Sequence, residues 1–191
     1  DVVTSAAPSS VLEVFVTSCG TSRQASATYL SDGAGRVLLM TNRHVVRGTS
    51  GVRVVLPDGA TVELAVLGGV VGKDAALLDA RPLEDAGLSP APAGLPVGPE
   101  DSVVVAGHPA GSFRLDGASV VDVQRRAAYG SASEVLLVVT AAEGGHSGGA
   151  VFDRTGAVVG LVAARDPGTS RVVAYRIGDL LHAPVGPPPG C

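Results

Sequence analysis

The sequence predicts an all-β protein built from two antiparallel barrels or sandwiches, and three observations support this prediction. The 191 residues suffice for one large or two small domains with a buried core. Short runs rich in Val, Leu and Thr recur along the chain, separated by Gly, Asp-Gly and Pro. These runs form two halves on either side of a proline-rich stretch at 81–100. Many short strands with little helical periodicity are typical of β-barrels and β-sandwiches.

The first half contains strand signals from residue 11 onwards. The run "VLEVFVT" alternates apolar and polar residues, as a half-buried strand does. The pairs "ASATYL" and "RVLLMT", then "VRVVL" and "TVELAVL", each flank a Gly-containing turn, which predicts two hairpins. "KDAALLDA" follows as a further strand. We therefore place an N-terminal barrel at 11–80, after a linker or cut N-terminal end at 1–10, and an interdomain linker at 81–100.

The second half follows the same pattern. Strands are predicted in "DSVVVAG", "ASVVDVQRRA", "EVLLVVTAA", "GAVFD", "AVVGLVAAR" and "RVVAYRI". Only "GDLLHA" has a helical character, and it is short. These runs predict a C-terminal barrel at 101–178, followed by a short helix and a Pro-rich tail at 179–191.

Composition and motifs argue against several functions. The net charge is −4 and no basic cluster could neutralise a run of phosphates, so nucleic acid is not an expected partner. No Gly-rich loop follows a strand and opens a helix, and no His/Cys/Asp/Glu cluster has metal-ligand spacing. We expect no nucleotide, metal or other cofactor. No apolar run approaches the ~18–20 residues that span a bilayer, so any membrane anchor is expected upstream of this chain.

The two cysteines lie near the start and at the end of the sequence. Cys191 closes the segment "APVGPPPGC", which has no core to fill, and exposed free thiols are a liability. We expect a disulfide between Cys19 and Cys191, which implies an oxidising, extracytoplasmic compartment. Two independent free thiols are the alternative. The disulfide would join the tail to the first domain.

One serine among glycines, in "EGGHSGGAVF", fits two unrelated nucleophile motifs. The segment 145–149 satisfies the G-x-S-x-G pattern of α/β-hydrolases, and Ser147, Asp166 and His182 follow in the order of that triad. However, "GGAVFDRTGAVVGLVAA" predicts strand, turn and strand where that fold requires a helix. An esterase or lipase of this class is therefore the less favoured alternative.

The other serine chemistry needs His, Asp and Ser in that order. The first half has one histidine, His44, at the end of an apolar strand, where a loop is expected to turn it towards the cleft between the two halves. Of the candidate acids, Asp58 belongs to a turn and Asp85 to the linker. Asp79 lies at a strand exit next to an arginine, which predicts a solvated ion pair. Asp74 enters an apolar strand, where a carboxylate needs a partner such as an imidazole N–H.

Four segments then resemble one protein family. "TNRHVV", "VGKDAALLDA", "VVVAGHPAG" and "GGHSGGAVFDRTGAVVGLV" are similar to the HtrA/Deg branch of trypsin-like serine proteases, and especially to actinobacterial extracytoplasmic proteases of the mycobacterial acid-resistance (MarP) type. The resemblance runs from about residue 11 to 180. It implies two six-stranded antiparallel β-barrels with the catalytic triad in the cleft between them. It assigns the base to His44, the orienting acid to Asp74 and the nucleophile to Ser147.

The same resemblance locates the groups around the nucleophile. Backbone N–H groups of Gly145 and Ser147 would form the oxyanion hole, and Gly148 and Gly149 would let the chain turn tightly. The position before the nucleophile usually carries Asp or Asn in this family; here it is His146. That substitution puts the resting shape of the oxyanion loop in question and could make it pH-sensitive. A histidine that is merely solvated and hydrogen-bonded is the alternative.

The resemblance also gives a specificity pocket and roles for the remaining histidines. The pocket would be lined by small side chains, which favours small or medium apolar P1 residues; these are Ala141, Ala142, Ala163 and Ala164. His108 is expected in a structural turn and His182 on the surface.

These observations together predict an extracytoplasmic serine endopeptidase that hydrolyses polypeptides through an acyl-enzyme formed on Ser147. The chain is then periplasmic or secreted, or is tethered to a membrane by a segment outside it. The alternative is a catalytically silent double barrel that binds peptides or partner proteins. The sequence does not indicate an oligomeric state.

Overall fold

The computed structural model describes residues 7–49, 51–128, 131–140, 146–165, 169 and 171–191. Fourteen strands and a few short helices make up this part of the chain. The predicted all-β double barrel is confirmed, because the strands form two sheets that each close on themselves through antiparallel pairing. None of the helices in these ranges is long and apolar enough to cross a membrane.

The first barrel is made of the six strands that the N-terminal half supplies. Their pairings run β1–β4–β5–β6–β3–β2 and return from β2 to β1. The Gly-containing turns predicted after β2 and after β4 lie where the sequence indicated. The bounds are Val11–Ser18 for β1, Thr21–Ser31 for β2, Val37–Thr41 for β3, Gly51–Val55 for β4, Thr61–Val70 for β5 and Ala76–Leu78 for β6.

The second barrel closes in the order β10–β13–β12–β11–β8–β9. Its first strands, β8 and β9, form a hairpin in which Ser102 to Gly107 pair with Ser119 to Arg114. The bounds are Ser102–Gly107 for β8, Arg114–Ala128 for β9, Ser131–Thr140 for β10, Ala150–Phe152 for β11, Val158–Arg165 for β12 and Arg171–Arg176 for β13.

Among the described residues, the buried apolar side chains form three clusters. One fills the first barrel around Tyr29 and Leu39, and a second fills the other barrel around Val105 and Val151. The third core joins residues of both barrels, among them Met40, Val70, Phe152, Leu161 and Tyr175. Because this third core is shared, the barrels are packed together and residues at their junction are held by both.

The connections are more structured than the sequence suggested. Residues 7–10 are helical with Ala7 fully buried, where a linker or cut end was expected. The Pro-rich segment 81–100 contains the short helix α2, Arg81–Glu84, and the strand β7, Ala91–Pro92, which pairs in parallel with β2. Elements as short as α2 and β7 contain too few residues to show a hydrophobic periodicity, so the sequence pattern could not reveal these contacts.

Two further helices differ from expectation in detail. Helix α1, Arg43–Val46, carries His44, which was expected on a loop. Helix α3, Ile177–Leu181, begins within the region assigned to the second barrel and two residues before the predicted terminal segment at 179. After α3, the strand β14, Val185–Gly186, pairs with β5 of the first barrel. The C-terminal tail therefore crosses back to the first barrel.

Candidate active site

His44 and Asp74 form a two-point contact. The backbone N–H of His44 donates to Asp74 Oδ1 at 2.8 Å, and His44 Nδ1 lies 2.6 Å from Asp74 Oδ2. The Asp74 side chain is 5% exposed, whereas the imidazole is 42% exposed. A buried carboxylate next to Nδ1 favours the tautomer with its proton on Nδ1, which leaves Nε2 free of a proton and able to accept one.

The loop that carries Asp74 is anchored from both barrels. The side-chain Nδ2 of Asn42, just before α1, donates to the backbone oxygen of Asp74 at 2.9 Å. The backbone N–H of Asp74 donates to the hydroxyl of Tyr175 on β13 at 3.0 Å. Asn42 and Tyr175 are both buried. Together they fix the position of the carboxylate that contacts His44.

Ser147 lies on a segment that is bonded to the first barrel. The backbone N–H of Ser26 on β2 donates to the Ser147 carbonyl oxygen at 2.9 Å. The Thr28 hydroxyl donates to the Gly148 carbonyl oxygen at 2.9 Å. The hydroxyl of Thr41, which ends β3 three residues before His44, donates to the Ser26 carbonyl oxygen at 2.7 Å. The serine segment of the second barrel and the strands leading to His44 are thus joined by direct hydrogen bonds.

The two glycines after Ser147 are required by the geometry of this turn. Gly148 has a positive φ of 79°, and a Cβ placed on it would meet the Ser26 carbonyl oxygen and come within 2.6 Å of Thr41 Oγ1. The backbone N–H of Gly149 closes the turn by donating to the His146 carbonyl oxygen at 2.7 Å. A side chain at Gly149 would clash with the Ala106 carbonyl oxygen. The expected tight turn is therefore present.

The same turn is bonded to strand β12, which carries two of the predicted pocket residues. Gly148 N–H donates to the Val162 carbonyl oxygen at 3.0 Å, and Val162 N–H donates to the Gly149 carbonyl oxygen at 2.8 Å. Ala163 follows Val162 and is 1% exposed, and Ala164 is half-buried. Gly145, Ala141, Ala142 and Asp166 lie outside the described residues, so their predicted roles stay predictions.

His146, which directly precedes the serine, is buried. Its side chain is 0% exposed, and Nε2 lies 3.2 Å from Asp116 Oδ2 on β9. The two atoms are within ion-pair distance, although their alignment is not that of a hydrogen bond. The alternative of a solvated histidine is excluded by this burial.

The disulfide partners meet at the end of the helix that carries His44. Cys19 and Cys191 are joined with their Cα atoms 5.8 Å apart, and the carbonyl oxygen of Pro189 accepts a hydrogen bond from Gly48 N–H at 2.7 Å. The Arg47 guanidinium donates to the carbonyl oxygens of Gly190 and Cys191. The C-terminus is therefore fixed to the residues that follow α1.

The remaining polar candidates have structural contacts. His108 Nε2 lies 3.1 Å from the Val11 carbonyl oxygen, and its backbone N–H donates to the Ser26 hydroxyl at 2.9 Å. His182 is exposed at the end of α3. Asp79 forms the predicted solvated ion pair with Arg81 at 2.6 Å, and the hydrogen bond from Arg81 holds the pKa of Asp79 below its usual range.

Two observations bear on the binding of metals or other groups. Within the described ranges, no three His, Cys, Asp or Glu side chains are grouped as metal ligands. A groove of about 330 Å³ lies on the first barrel beside Phe15, Arg23 and Arg53, and neither His44, Asp74 nor Ser147 lines it. This groove is therefore separate from the His44–Asp74 contact and from the serine turn.

Sequence reasoning missed several residues that hold the site. Asn42 precedes Arg43 and His44 in "TNRH", so its position next to the histidine was a usable signal. The local sequence does not distinguish Ser26, Thr28 and Thr41 from other hydroxyl residues on strands, although all three are buried. Tyr175 and Asp116 come from distant strands, and nothing in the local sequence marks them.

Comparisons with known proteins point to one family. Residues 25–161 match the family described as trypsin-like peptidase domain. The Arabidopsis thaliana protein "Protease Do-like 1, chloroplastic" is 32% identical over 135 residues, which is 66% of this chain and 30% of that protein. This chain thus spans less than a third of that relative's length.

Solved structures share the fold. "HtrA-type protease AlgW with tripeptide" superposes with a TM-score of 0.80 at 23% identity, covering 94% of this chain and 60% of that chain. "Rv3671c protease from M. tuberculosis, active form" gives a TM-score of 0.76 at 23% identity, covering 97% of this chain and 86% of that chain.

Proposed function

This chain belongs to the trypsin-like peptidase domain family, and from that premise we propose that it is a serine endopeptidase using His44, Asp74 and Ser147. The observation that carries the proposal is the two-point contact between His44 and Asp74. Such a contact fixes both the position and the tautomer of an imidazole, and a general base needs both.

The proposed reaction begins with Ser147 as nucleophile. His44 Nε2 takes the proton of the Ser147 hydroxyl while the oxygen attacks the carbonyl carbon of the scissile peptide bond. The tetrahedral intermediate collapses as His44 donates that proton to the leaving amine, which leaves an acyl-enzyme on Ser147. Water, deprotonated by His44, then attacks the ester; as this second tetrahedral intermediate breaks its bond to Ser147, His44 returns the proton to the serine oxygen and the carboxylic acid product is released. Asp74 stays ionised throughout and stabilises the transient imidazolium.

The oxyanion of both tetrahedral intermediates needs backbone donors. We assign this role to the N–H groups of Gly145 and Ser147, each worth roughly 10²–10³ in rate. Support comes from the turn at 147–149, which is closed by the Gly149 hydrogen bond to His146 and held on β2 and β12. A turn held at several points keeps the Ser147 backbone in place during the reaction.

We propose a preference for small or medium apolar P1 side chains. Strand β12 borders the serine turn through Val162, and the next two residues, Ala163 and Ala164, carry only methyl groups. Ala141 and Ala142 would complete the pocket. A pocket lined by alanines offers no carboxylate to pair with a basic P1 side chain, so arginine and lysine are disfavoured.

Polypeptides outside the cytoplasm are the proposed substrates. The solved AlgW structures with a tripeptide and a decapeptide support a peptide ligand for this fold. The Cys19–Cys191 disulfide supports an oxidising compartment, because such bonds are rare in the cytosol. The chain is accordingly proposed to be periplasmic or secreted, or to be tethered to a membrane by a segment outside this chain.

Labelling with a fluorophosphonate probe tests the proposal directly. The wild-type protein is expected to react and Ser147→Ala to remain unlabelled, because the probe reports an activated serine. A library of internally quenched peptides, read by mass spectrometry, then gives the cleavage site. Cleavage after Ala, Val or similar residues supports the P1 assignment.

Two outcomes would contradict the proposal. Equal labelling of wild type and Ser147→Ala would place the reactive group elsewhere. Absence of labelling and cleavage in a correctly folded wild type would favour the catalytically silent, peptide-binding alternative.

A further inference from the structure

The histidine before the nucleophile is held through three different atoms. Its ring Nε2 lies 3.2 Å from Asp116 Oδ2, and Asp116 is itself only 17% exposed. Its carbonyl oxygen accepts the 2.7 Å hydrogen bond from Gly149 N–H. It packs so closely against Gly107 of β8 that a Cβ on Gly107 would come within 2.9 Å of His146 Cδ2 and 3.0 Å of His146 Cα.

These contacts bear on Ser147 because it is the next residue. The His146 backbone continues directly into Ser147, and the Gly149 hydrogen bond joins the His146 carbonyl oxygen to the turn that contains Ser147. The Asp116 carboxylate comes from β9, a strand of the closed second barrel, and so provides a fixed point. The His146–Asp116 pair is therefore located where it can influence the position of the nucleophile.

We propose that His146 is a positioning residue for Ser147, and that its ion pair with Asp116 makes the nucleophile's position proton-dependent. This inference rests on the proposed function. An imidazolium attracts the carboxylate at this short, buried distance much more strongly than a neutral ring does. Loss of the His146 proton weakens the pair and loosens the turn.

The protonation state that His146 needs is opposite to the one that the catalytic base needs. A general base accepts a proton only when it is neutral. His146 holds the loop best when it is protonated, so its titration lowers the rate as pH increases. Loss of the His146 proton is therefore expected to give the rate profile a falling alkaline limb.

Other charged groups adjoin this contact in the part of the chain that the structure describes. His108 follows Gly107, and its ring Nε2 faces the Val11 carbonyl oxygen. Arg114 is opposite Gly107 in the β8–β9 ladder and has an interaction of its own. Because these groups are unchanged by substitution at Asp116, an Asp116→Asn variant isolates the contribution of the Asp116 charge.

The first test measures the rate of fluorophosphonate labelling of Ser147 between pH 5 and 9. Asp116→Asn is expected to slow labelling about ten- to hundredfold, the scale of a small misplacement of a reacting group. The alkaline limb should be lost in this variant. Asp122→Asn, on the same strand, is the matched control, because its carboxylate accepts from Val123 N–H and Gln124 Nε2. It should keep the wild-type rate and profile.

The second test does not need activity. In the Ser147→Ala background, NMR follows the imidazole signals of His146 through a pH titration. Asp116→Asn should lower the titration midpoint of His146 by about one pH unit or more, since a neighbouring carboxylate favours the imidazolium. An unchanged midpoint would overturn the pair and with it the inference.

The two tests together separate the possible failures. A shifted His146 midpoint with no labelling of wild type at any pH would overturn the proposed function and not the pair. If Asp116→Asn is labelled at the rate of the Asp122→Asn control, the positioning role of His146 is overturned. The same holds if Asp116→Asn loses thermal stability but keeps the wild-type pH profile, because the pair would then have only a structural role.

Discussion

The hydroxyl of Tyr175 accepts a hydrogen bond from the backbone N–H of Asp74 at 3.0 Å. Tyr175 belongs to β13 of the second barrel, whereas Asp74 lies between β5 and β6 of the first. Asn42 holds the same residue from the first-barrel side through the Asp74 carbonyl oxygen. The proposed orienting acid is therefore located at the junction of the two barrels and is positioned by both.

Replacing Tyr175 by phenylalanine tests this relationship. Tyr175→Phe keeps the ring but leaves the Asp74 N–H buried without its acceptor, which costs about 1–3 kcal/mol of unfolding free energy. We also expect slower fluorophosphonate labelling, because the Asp74 carboxylate then holds His44 less firmly. Urea denaturation and labelling rates provide the two measurements. Tyr29→Phe, at a buried tyrosine of the first-barrel core, is the control and should label at the wild-type rate. Equal labelling rates for the two variants would contradict the argument.

Neutralising Asp74 tests the triad. Asp74→Asn should reduce kcat for peptide cleavage by about 10⁴, the loss seen for the equivalent change in the chymotrypsin template of this mechanism. The amide no longer fixes the His44 tautomer or stabilises the imidazolium. Asp79→Asn, five residues along and in an exposed ion pair with Arg81, is the matched control. It should keep kcat within about twofold, since exposed pairs contribute little. A comparable loss in both variants would argue against a special role for Asp74.

The strand pattern and the candidate residues could be predicted because their signals are local, and the resemblance to the HtrA/Deg branch then assigned roles to His44, Asp74 and Ser147. Alternating runs such as "VLEVFVT", Gly-containing turns and the motif around Ser147 each determine structure within a few residues. The preference for Asp74 over Asp79 also came from local burial, and the structure places Asp74 against His44 and Asp79 against Arg81.

What could not be predicted depends on contacts between distant strands. Asp116 precedes His146 by 30 residues and meets it only because β9 closes the second barrel. Tyr175 and Asp74 are 101 residues apart and belong to different barrels. The strand β7 within 81–100 exists because β2 offers an edge for pairing, which periodicity in the segment itself cannot indicate.

Removing the disulfide should destabilise the protein. The bond closes a separation of 172 residues, and the chain-entropy model gives roughly 5 kcal/mol as an upper figure for a loop of this size. The double variant Cys19→Ser/Cys191→Ser should therefore melt at a lower temperature than the oxidised wild type. Dithiothreitol should lower the melting temperature of wild type but leave that of the double variant unchanged. Identical melting temperatures for oxidised and reduced wild type would contradict the prediction.

The Asp79–Arg81 pair predicts an effect of acid on stability. The hydrogen bond from Arg81 lowers the pKa of Asp79 below the ordinary value of 3.8. A carboxyl with a lowered folded pKa stabilises the protein above its unfolded pKa, and this contribution is lost as pH falls through the folded value. Asp79→Asn should thus flatten the decline of unfolding free energy below about pH 4. Asp58→Asn, at a turn aspartate bonded to Ala60 N–H, is the comparison. Parallel curves for wild type and Asp79→Asn would contradict this account.

Adding a methyl group at Gly148 should separate backbone strain from steric contact at the nucleophile turn. Gly148 and Gly35 have nearly equal φ angles of 79° and 80°. A Cβ on Gly35 would have nothing within 4 Å. A Cβ on Gly148, in contrast, would clash with the Ser26 carbonyl oxygen and lie 2.6 Å from Thr41 Oγ1. Gly35→Ala should cost roughly 1 kcal/mol of unfolding free energy for the left-handed conformation alone. Gly148→Ala should cost more and should abolish fluorophosphonate labelling, because Ser26 must move away from the Ser147 carbonyl oxygen that it binds. Denaturation curves and labelling of both variants measure this difference. An equal stability loss with labelling retained would mean that the turn relaxes, and that the close approach of Gly148 to β2 does not position Ser147.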